Sequence, residues 1–342
     1  MKRPKSSVTI KDVAAAASVS VSTVSRVLNG KADVAEDTQA RVRQVIQDLH
    51  YTSSLAARSM RSRRTNVIGV VVPDLQTSFS IEVVKGVNRA IEEFAYDLIV
   101  YTSGTAWDGS RAARERHHVA LLNGSLADGV IIVTPTTTGF PSAHPLVVVD
   151  PQQAWPDVPA VISTNRVGAM EAMTYLFSLG HRRIGFIGGR MDLQSALRRL
   201  QGYQDSLAQA GIPFDPDLVQ PGDFLKPMSL TATQTLLSLP NPPTAIFAAN
   251  DISAIAAMEA ARAAGRRVPE DLSIIGFDNI PEATQVTPRL TTVDQSMELM
   301  GYTATDMLIQ LLQGRPLASH LRKIPTRLIV RESCWAIYDT RT

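Results

Sequence analysis

Residues 17–30 read ASVSVSTVSRVLNG, five serines and threonines set among Val19, Val21, Val24, Val27 and Leu28 with a single arginine, Arg26. At about 100° per residue, Val24, Val27 and Leu28 fall on one side of a helix, and Ser22, Ser25, Arg26 and Asn29 fall on the other. Ser20 suits the N-cap of a helix from about Val21 to Asn29, and Gly30 suits its stop. Upstream, Thr9 caps a first short helix with Asp12 three residues on, a variant of the capping box, and Val13, Ala14 and Ala17 form its apolar stripe. Ser18-Val19-Ser20 breaks the two apart. Downstream, Thr38, Val42, Val45, Ile46 and Leu49 share the face of a third helix near Glu36 to Leu49, so three helices close a miniature core.

Two short helices joined by a tight turn, the second with a polar outer face, make a helix-turn-helix that fits the DNA major groove. Small hydroxyls let the helix approach closely and bond phosphates at the groove walls, while Arg26 can donate two hydrogen bonds to guanine O6 and N7. The alternative is an ordinary three-helix packing unit with Arg26 in a surface ion pair. Charge favours the first reading. The net charge of +2 hides an asymmetry: residues 1–64 carry twelve Lys or Arg against five Asp or Glu, a balance of +7, and the remainder holds 22 against 27, a balance of −5. A small basic head on a mildly acidic body suits binding to a polyanion, since each neutralised phosphate releases counterions.

At 342 residues and 44% hydrophobic content, the chain can bury a large core in two or three folding units. No run approaches eighteen apolar residues, and the start MKRPKSSVTIKDV lacks the apolar stretch of a secretory signal, so a cytoplasmic address and no membrane contact are expected. One cysteine, Cys334, has neither a disulfide partner nor companions at metal-ligand spacing. It reads as a packed bystander.

The stretch VTIKDVAAAASVSVSTVSRVLNG, residues 8–30, resembles the N-terminal signature of the lactose repressor and galactose repressor (LacI/GalR) family, and the similarity runs along nearly the whole chain. In that family the first two residues of the second helix and an arginine five positions later read bases, which implies Val21, Ser22 and Arg26. Two departures stand out: Ser18 occupies a turn position often held by glycine, and the third helix begins near Ala35 without a good cap side chain. Residues 51–66, YTSSLAARSMRSRRTN, resemble the family's hinge helix, which pairs with its twin from a second subunit in the minor groove. There Met60 replaces the usual leucine as an apolar wedge that kinks a central base step. A flexible basic linker built on Arg61, Arg63 and Arg64 is the alternative. The expected DNA-facing set is Thr9, Ser20, Val21, Ser22, Thr23, Ser25, Arg26, Asn29, Tyr51, Ala57 and Met60. The expected partition is a DNA-binding domain over 1–52, a hinge helix and linker over 53–65, and an effector-binding and dimerisation domain over 66–342.

From Asn66 onward, short apolar runs alternate with longer helical stretches, the mark of parallel sheets built from strand-helix-strand units. NVIGVVV, DLIVYTS, GVIIVTP, PLVVVD, RRIGFIGG, TAIFAAND and LSIIGFDN read as strands, with helices such as Ile81 to Phe94, Arg166 to Leu179 and Ile252 to Ala264 between them. Ligands collect beyond the carboxyl ends of such strands. Asp74, Asp150, Asn250, Asp251 and Asp278 all stand at such ends, although each also suits the cap of the next helix.

HRRIGFIGGRMDLQSALRRLQGY, PTAIFAANDISAIAAMEAARAAGRRVPEDLSIIGFDNI and PRLTTVDQ resemble the family's effector-binding core, which shares a two-lobed fold with periplasmic sugar-binding proteins. The resemblance implies that Arg199 is the principal effector arginine, with Ser195, Phe79, Phe224, Asn250 and Asp278 at other pocket positions and Asp74 and Asp150 beside them. A shift of helix register would exchange Arg199 with Arg198. Aromatic rings can cover the apolar face of a sugar while Asp, Asn and Arg pair with adjacent hydroxyls. Ser163-Thr164-Asn165 stands where the family often has Asp-Asn, so one expected carboxylate is missing and the effector's hydroxyl pattern is expected to differ.

The fold expected is therefore α/β: a three-helix helix-turn-helix head with a hinge helix, then a two-lobed, periplasmic-binding-protein-like effector domain with parallel sheets. The function expected is a sequence-specific DNA-binding regulator, a repressor acting as a homodimer on a pseudo-palindromic operator. Its effector would be a sugar or sugar acid, with Arg166, Arg190 and Arg198 near enough to receive an acid, or else a nucleoside or nucleobase. A dimer is preferred because no leucine heptad follows SCWAIYDTRT. No cofactor, metal or catalytic residue is expected, since no GxxxxGK[ST], GxSxG, HExxH or GxGxxG pattern occurs. His117 and His118 are adjacent on a predicted helix, face different ways and are expected at the solvent surface. The rival class is a periplasmic or chemosensory sugar-binding protein, which has the same body without the basic head.

Overall fold

The computed structural model describes residues 8–28, 31, 33–51, 64–104, 110–137, 139–140, 144–152 and 158–337. The chain divides into two compact units, residues 1–65 and 66–342.

In the first unit three helices, α1 (Ile10–Ala16), α2 (Val21–Leu28) and α3 (Glu36–Asp48), close around Val13, Ala14, Ala17, Val24, Val27, Val42 and Tyr51. Asp12 accepts from both the backbone N–H and the hydroxyl of Thr9 at 2.7 Å, which ties down the start of α1 and holds its own carboxyl below the usual range. Ser18 in the α1–α2 turn has φ 52°, the left-handed region where a glycine would sit without strain. Leu28 departs from expectation. It is 38% exposed, because it ends α2 one turn beyond Val24, past the end of the small core.

The second unit holds two six-stranded sheets. The first orders β11 (Leu321–Ile324), β5 (Ala160–Ser163), β4 (Leu146–Val149), β3 (Gly129–Val133), β1 (Val67–Val72) and β2 (Asp97–Thr102), all parallel. The second orders β12 (Arg327–Ile329), β10 (Thr291–Asp294), β9 (Ser273–Asp278), β8 (Ala245–Ala248), β6 (Ile184–Gly188) and β7 (Val219–Pro221), with β12 alone antiparallel. Each sheet is buried on both faces by helices, which is why its central strands are uniform Val, Ile, Ala and Phe runs. All seven apolar runs of the sequence fall on strands. The remaining five strands have three or four residues each and mix polar with apolar positions, as in TTVD and LRKI, so they carry no strand periodicity.

The chain passes between the lobes three times: from β5 into α6 (Asn165–Ser178), from β10 into α10 (Met297–Leu312), and from β11 into β12. Through the second crossing α10 returns to the first lobe and packs on α4 (Ser78–Phe94). Backbones touch there: a Cβ on Gly86 would lie 1.8 Å from the Glu298 carbonyl oxygen, and one on Gly301 would lie 2.0 Å from that of Val83. Helix α5 (Ser110–Leu121) lies over the first sheet and carries both histidines. His117 is exposed as expected, whereas His118 is half-buried and stacks on Tyr101 with ring centroids 4.7 Å apart, so only one faces solvent fully. No helix among the described residues is long and apolar enough to cross a membrane.

Candidate functional site

The outer face of α2 is built as a hydroxyl cluster. Ser20 Oγ accepts from the backbone N–H of Thr23 at 3.1 Å, capping the helix, and shares hydrogen bonds with the hydroxyls of Ser22 (2.6 Å) and Thr23 (2.9 Å). Thr9, Ser20, Val21, Ser22 and Arg26 are exposed, and Thr23 and Ser25 half-buried. Arg26 lies 3.5 Å from Asp33 with both side chains more than half exposed, which is the surface ion pair of the alternative reading. Such a pair contributes little in water and leaves the guanidinium available to DNA. Tyr51 packs into the head's own core. Asn29, Ala57 and Met60 lie outside the described residues.

In the second unit a cavity of about 460 Å³ opens between the two sheets, within the size range of small-molecule sites. Asp74, Phe79, Asp150, Ser195, Arg199, Phe224, Asn250 and Asp278 all line it, although they come from β1, α4, β4, α7 (Gln194–Gln209), the loop after β7, β8 and β9 or the turns beside them. The carboxyl ends of the parallel strands aim them at one space. Arg199 is buried and Arg198 exposed, so the rotation of α7 settles which of the two arginines faces the cleft.

Arg199 is already heavily engaged. Its Nε donates to Asn165 Oδ1 at 2.8 Å, and its Nη1 donates to Asp278 Oδ1 at 3.0 Å and to the Ala249 carbonyl. Its guanidinium carbon lies 3.8 Å from the centre of the Phe277 ring and 5.8 Å from that of Phe224. Burial pushes the Asp278 carboxyl up to about 6, against the pull of Arg199. Burial likewise raises Asp150, whose carboxylate accepts from Ser195 Oγ at 3.1 Å and so joins the two lobes. Asp251 is held well above the usual carboxylate range by burial and by Asp278, and spends its oxygens on the Ile280 N–H and the Thr292 hydroxyl, so it is structural. One residue combines both roles open to strand-end polar groups. Asn250 caps α9 (Asp251–Ala263) by accepting from the Ser253 N–H and also lines the cavity, whereas Asp74, on the same wall, accepts from the N–H groups of Gln76 and Thr77 at 2.7 Å in the turn ahead of α4.

Phe224 has φ 61° and lays its ring on Gly189, where a Cβ would fall 2.1 Å from the ring edge. Phe79 is half-buried on the opposite lobe. Between them the two rings provide apolar surfaces and the Asp, Asn, Arg and Ser groups provide donors and acceptors.

Several cavity residues lie outside the set expected from the sequence, among them the polar Arg111, Arg190 and Gln295. Arg111, within the charged run SRAARERHH, is buried beside Glu115 at 3.0 Å and donates to the Thr134 carbonyl at 2.6 Å. Arg190, noted from sequence only as a neighbour, pairs with Asp192 at 2.7 Å and lines the wall. Gln295 is buried at the second lobe crossing and donates to Asp278 Oδ1 at 2.6 Å. Arg166 and Arg198 instead line an adjoining hollow of about 310 Å³ that shares Asp150 and Ser195 with the cleft. Ser163, Thr164 and Asn165 line the same hollow, and Thr164 is bonded to Thr326 at 2.9 Å.

A helix-turn-helix unit joined to a two-lobed unit with a polar and aromatic cleft defines a ligand-responsive DNA-binding regulator. Residues 9–54 match the family described as "Bacterial regulatory proteins, lacI family", and residues 173–334 match the "Periplasmic binding protein-like domain". The transcriptional repressor CytR of Escherichia coli (strain K12) is 32% identical over 98% of this chain and 99% of its own. The repressor PurR of Escherichia coli (strain SMS-3-5) is 34% identical over 95% and 96%. Among solved structures, the transcriptional regulator CelR in complex with cellobiose is 32% identical with a TM-score of 0.71, over 97% of this chain and all of that one. The Lac repressor dimer bound to operator and the anti-inducer ONPF is 26% identical with a TM-score of 0.84, over 96% and 99%. The chain belongs to the lacI family of bacterial regulatory proteins. It is a sequence-specific, effector-modulated DNA-binding regulator.

Proposed function

We propose that this regulator is a homodimeric repressor whose effector is a sugar or sugar acid held in the interlobe cleft by Arg199, Asp278, Asn250, Ser195 and Asp150 between the rings of Phe79 and Phe224. The observation that carries this reading is the convergence of these side chains, from both lobes, on one cavity. Vicinal hydroxyls fit a ring of paired donors and acceptors between apolar faces. CelR was solved with cellobiose and a LacI-family regulator from Enterococcus faecium with ribose, which supports a sugar here. In the dimer, two heads reach adjacent half-sites, and residues 53–65, of which 53–63 lie outside the described residues, supply the hinge helix and linker read from the sequence, with Met60 as wedge. Effector binding changes the lobe arrangement that the hinges require.

The test is a thermal-shift panel of neutral sugars, aldonic and uronic acids, and nucleosides on the full-length protein, with light scattering for the dimer. A ligand at a hundred times its Kd adds about 2.7 kcal/mol, or a rise of roughly 5 °C for a unit of this size. A response confined to nucleosides would overturn the sugar reading.

A further inference from the structure

A closed ring of hydrogen bonds joins the cleft to two of the three lobe crossings. Arg199 Nε donates to Asn165 Oδ1 (2.8 Å), Asn165 Nδ2 to the Ser163 carbonyl (3.4 Å), and Ser163 Oγ to Gln295 Oε1 (3.0 Å). Gln295 Nε2 then donates to Asp278 Oδ1 (2.6 Å), which also accepts from Arg199 Nη1 (3.0 Å). All five side chains are buried. Ser163 ends β5 in the first lobe, Asn165 opens α6 in the second, and Gln295 sits between β10 and α10. The third crossing is fastened to the first by the Thr164–Thr326 hydroxyl pair and by the Thr326 N–H, which donates to Thr164 Oγ1 at 2.9 Å.

We propose that Gln295 is a positioning residue for the lobes: its carbonyl holds Ser163 and its amide nitrogen holds Asp278, so the geometry of the crossings depends on what Asp278 is bonded to. A primary amide in this position leaves no slack. If Asp278 turns toward a bound hydroxyl, the Gln295 amide loses its acceptor in a buried setting, where an unmet donor is costly, and it must rotate or move with its strand. Rotation withdraws the carbonyl from Ser163. The ring is therefore either made or broken, which is the two-state behaviour that a lobe hinge needs. The regulatory meaning of this device rests on the cleft being the effector site, but the device itself can be read without any ligand.

The experiment measures the distance between spin labels at Ala120→Cys on α5 of the first lobe and Gln204→Cys on α7 of the second, both exposed positions. Labelled full-length protein is diluted with unlabelled protein so that distances within one chain dominate. Cys334, a half-buried thiol pushed up to about 12, resists labelling. The ligand-free parent should give one distance population. Gln295→Met, which removes the bonds to both Ser163 and Asp278, and Ser163→Ala, which removes a single oxygen, should each add the same second population, and the double variant should match the singles because each opens the same closed ring. Thr326→Val, which cuts the other fastening, should add a further effect on top. Unchanged distances in both single variants, or additive effects in the double, would overturn the proposal. Split distances in a protein whose parent responds to no sugar would overturn the sugar reading alone.

Discussion

Replacing Arg199 by Met separates the electrostatic from the packing role of the cleft arginine. Methionine keeps an aliphatic stem against Phe277 but removes the donors to Asn165, Ala249 and Asp278. Leaving a buried carboxylate unpaired costs about 3 to 5 kcal/mol, yet Asp278 has an escape. Its carboxyl already stands at about 6 with Arg199 pulling it down, so without the arginine it rises further and is neutral over more of the working range. The remaining cost is two orphaned oxygens, on Asn165 and Ala249, at about 1 to 3 kcal/mol each. A loss of about 2 to 6 kcal/mol lowers the melting temperature by roughly 3 to 10 °C for a unit of this size.

The sign of the pH dependence follows from the raised carboxyl. A group whose folded value lies above its unfolded value near 3.8 favours the fold fully below that value and loses the contribution as pH rises toward 6. In the parent this loss is on the order of 3 kcal/mol and is complete a little above pH 6. In Arg199→Met it continues beyond, so the variant's melting temperature should fall more steeply between pH 6 and 8 than the parent's. Asp251, on which Arg199 does not act, largely cancels in the comparison, whereas Asp150, which Arg199 also pulls down, rises with Asp278 and adds to the steeper slope. Adding Asp278→Asn to Arg199→Met should flatten the slope and restore part of the stability at pH 8 without restoring effector binding. Calorimetric melts from pH 5 to 8 read all three proteins. The reasoning fails if the double variant is no more stable than Arg199→Met at pH 8, or if the slopes of parent and single variant coincide.

On DNA, Arg26→Ala should cost about 1 to 3 kcal/mol and relax preference at one base in each half-site; selection of binding sites from random sequence checks it, and uniform weakening on every sequence would make Arg26 a phosphate contact. Gly301→Ala should destabilise the second unit by several kcal/mol in a thermal melt, since its Cβ would fall 2.0 Å from a backbone oxygen that cannot move aside without separating α4 from α10. An unchanged melting temperature would mean that the two helices yield freely.

The legible parts of this molecule share a cause. The helix-turn-helix was readable because Ser20, Val24, Val27 and Arg26 sit at local spacings that dictate cap, core and outer face within one short helix. The seven buried strands were readable because a parallel sheet covered on both sides needs unbroken apolar runs. Asp74, Asp150, Asn250 and Asp278 were readable as strand-end polar groups, while Arg199, Ser195, Phe79 and Phe224 came from family resemblance. Arg111 was hidden because a charged helix segment looks like a solvated face until Glu115 and the Thr134 carbonyl are brought to it.

By itself, then, the sequence determined where the three helices of the first unit and the seven buried strands form, that polar groups stand at the carboxyl ends of those strands, and that the basic charge collects in the first unit. Only the tertiary structure decided that Leu28 is left at the surface, that α7 turns Arg199 rather than Arg198 inward, and that Gln295 links Asp278 to Ser163. The reason is range. Periodicity and capping act over a few residues, whereas Ser163 and Gln295 are 132 positions apart and meet only because the chain crosses between the lobes at both places.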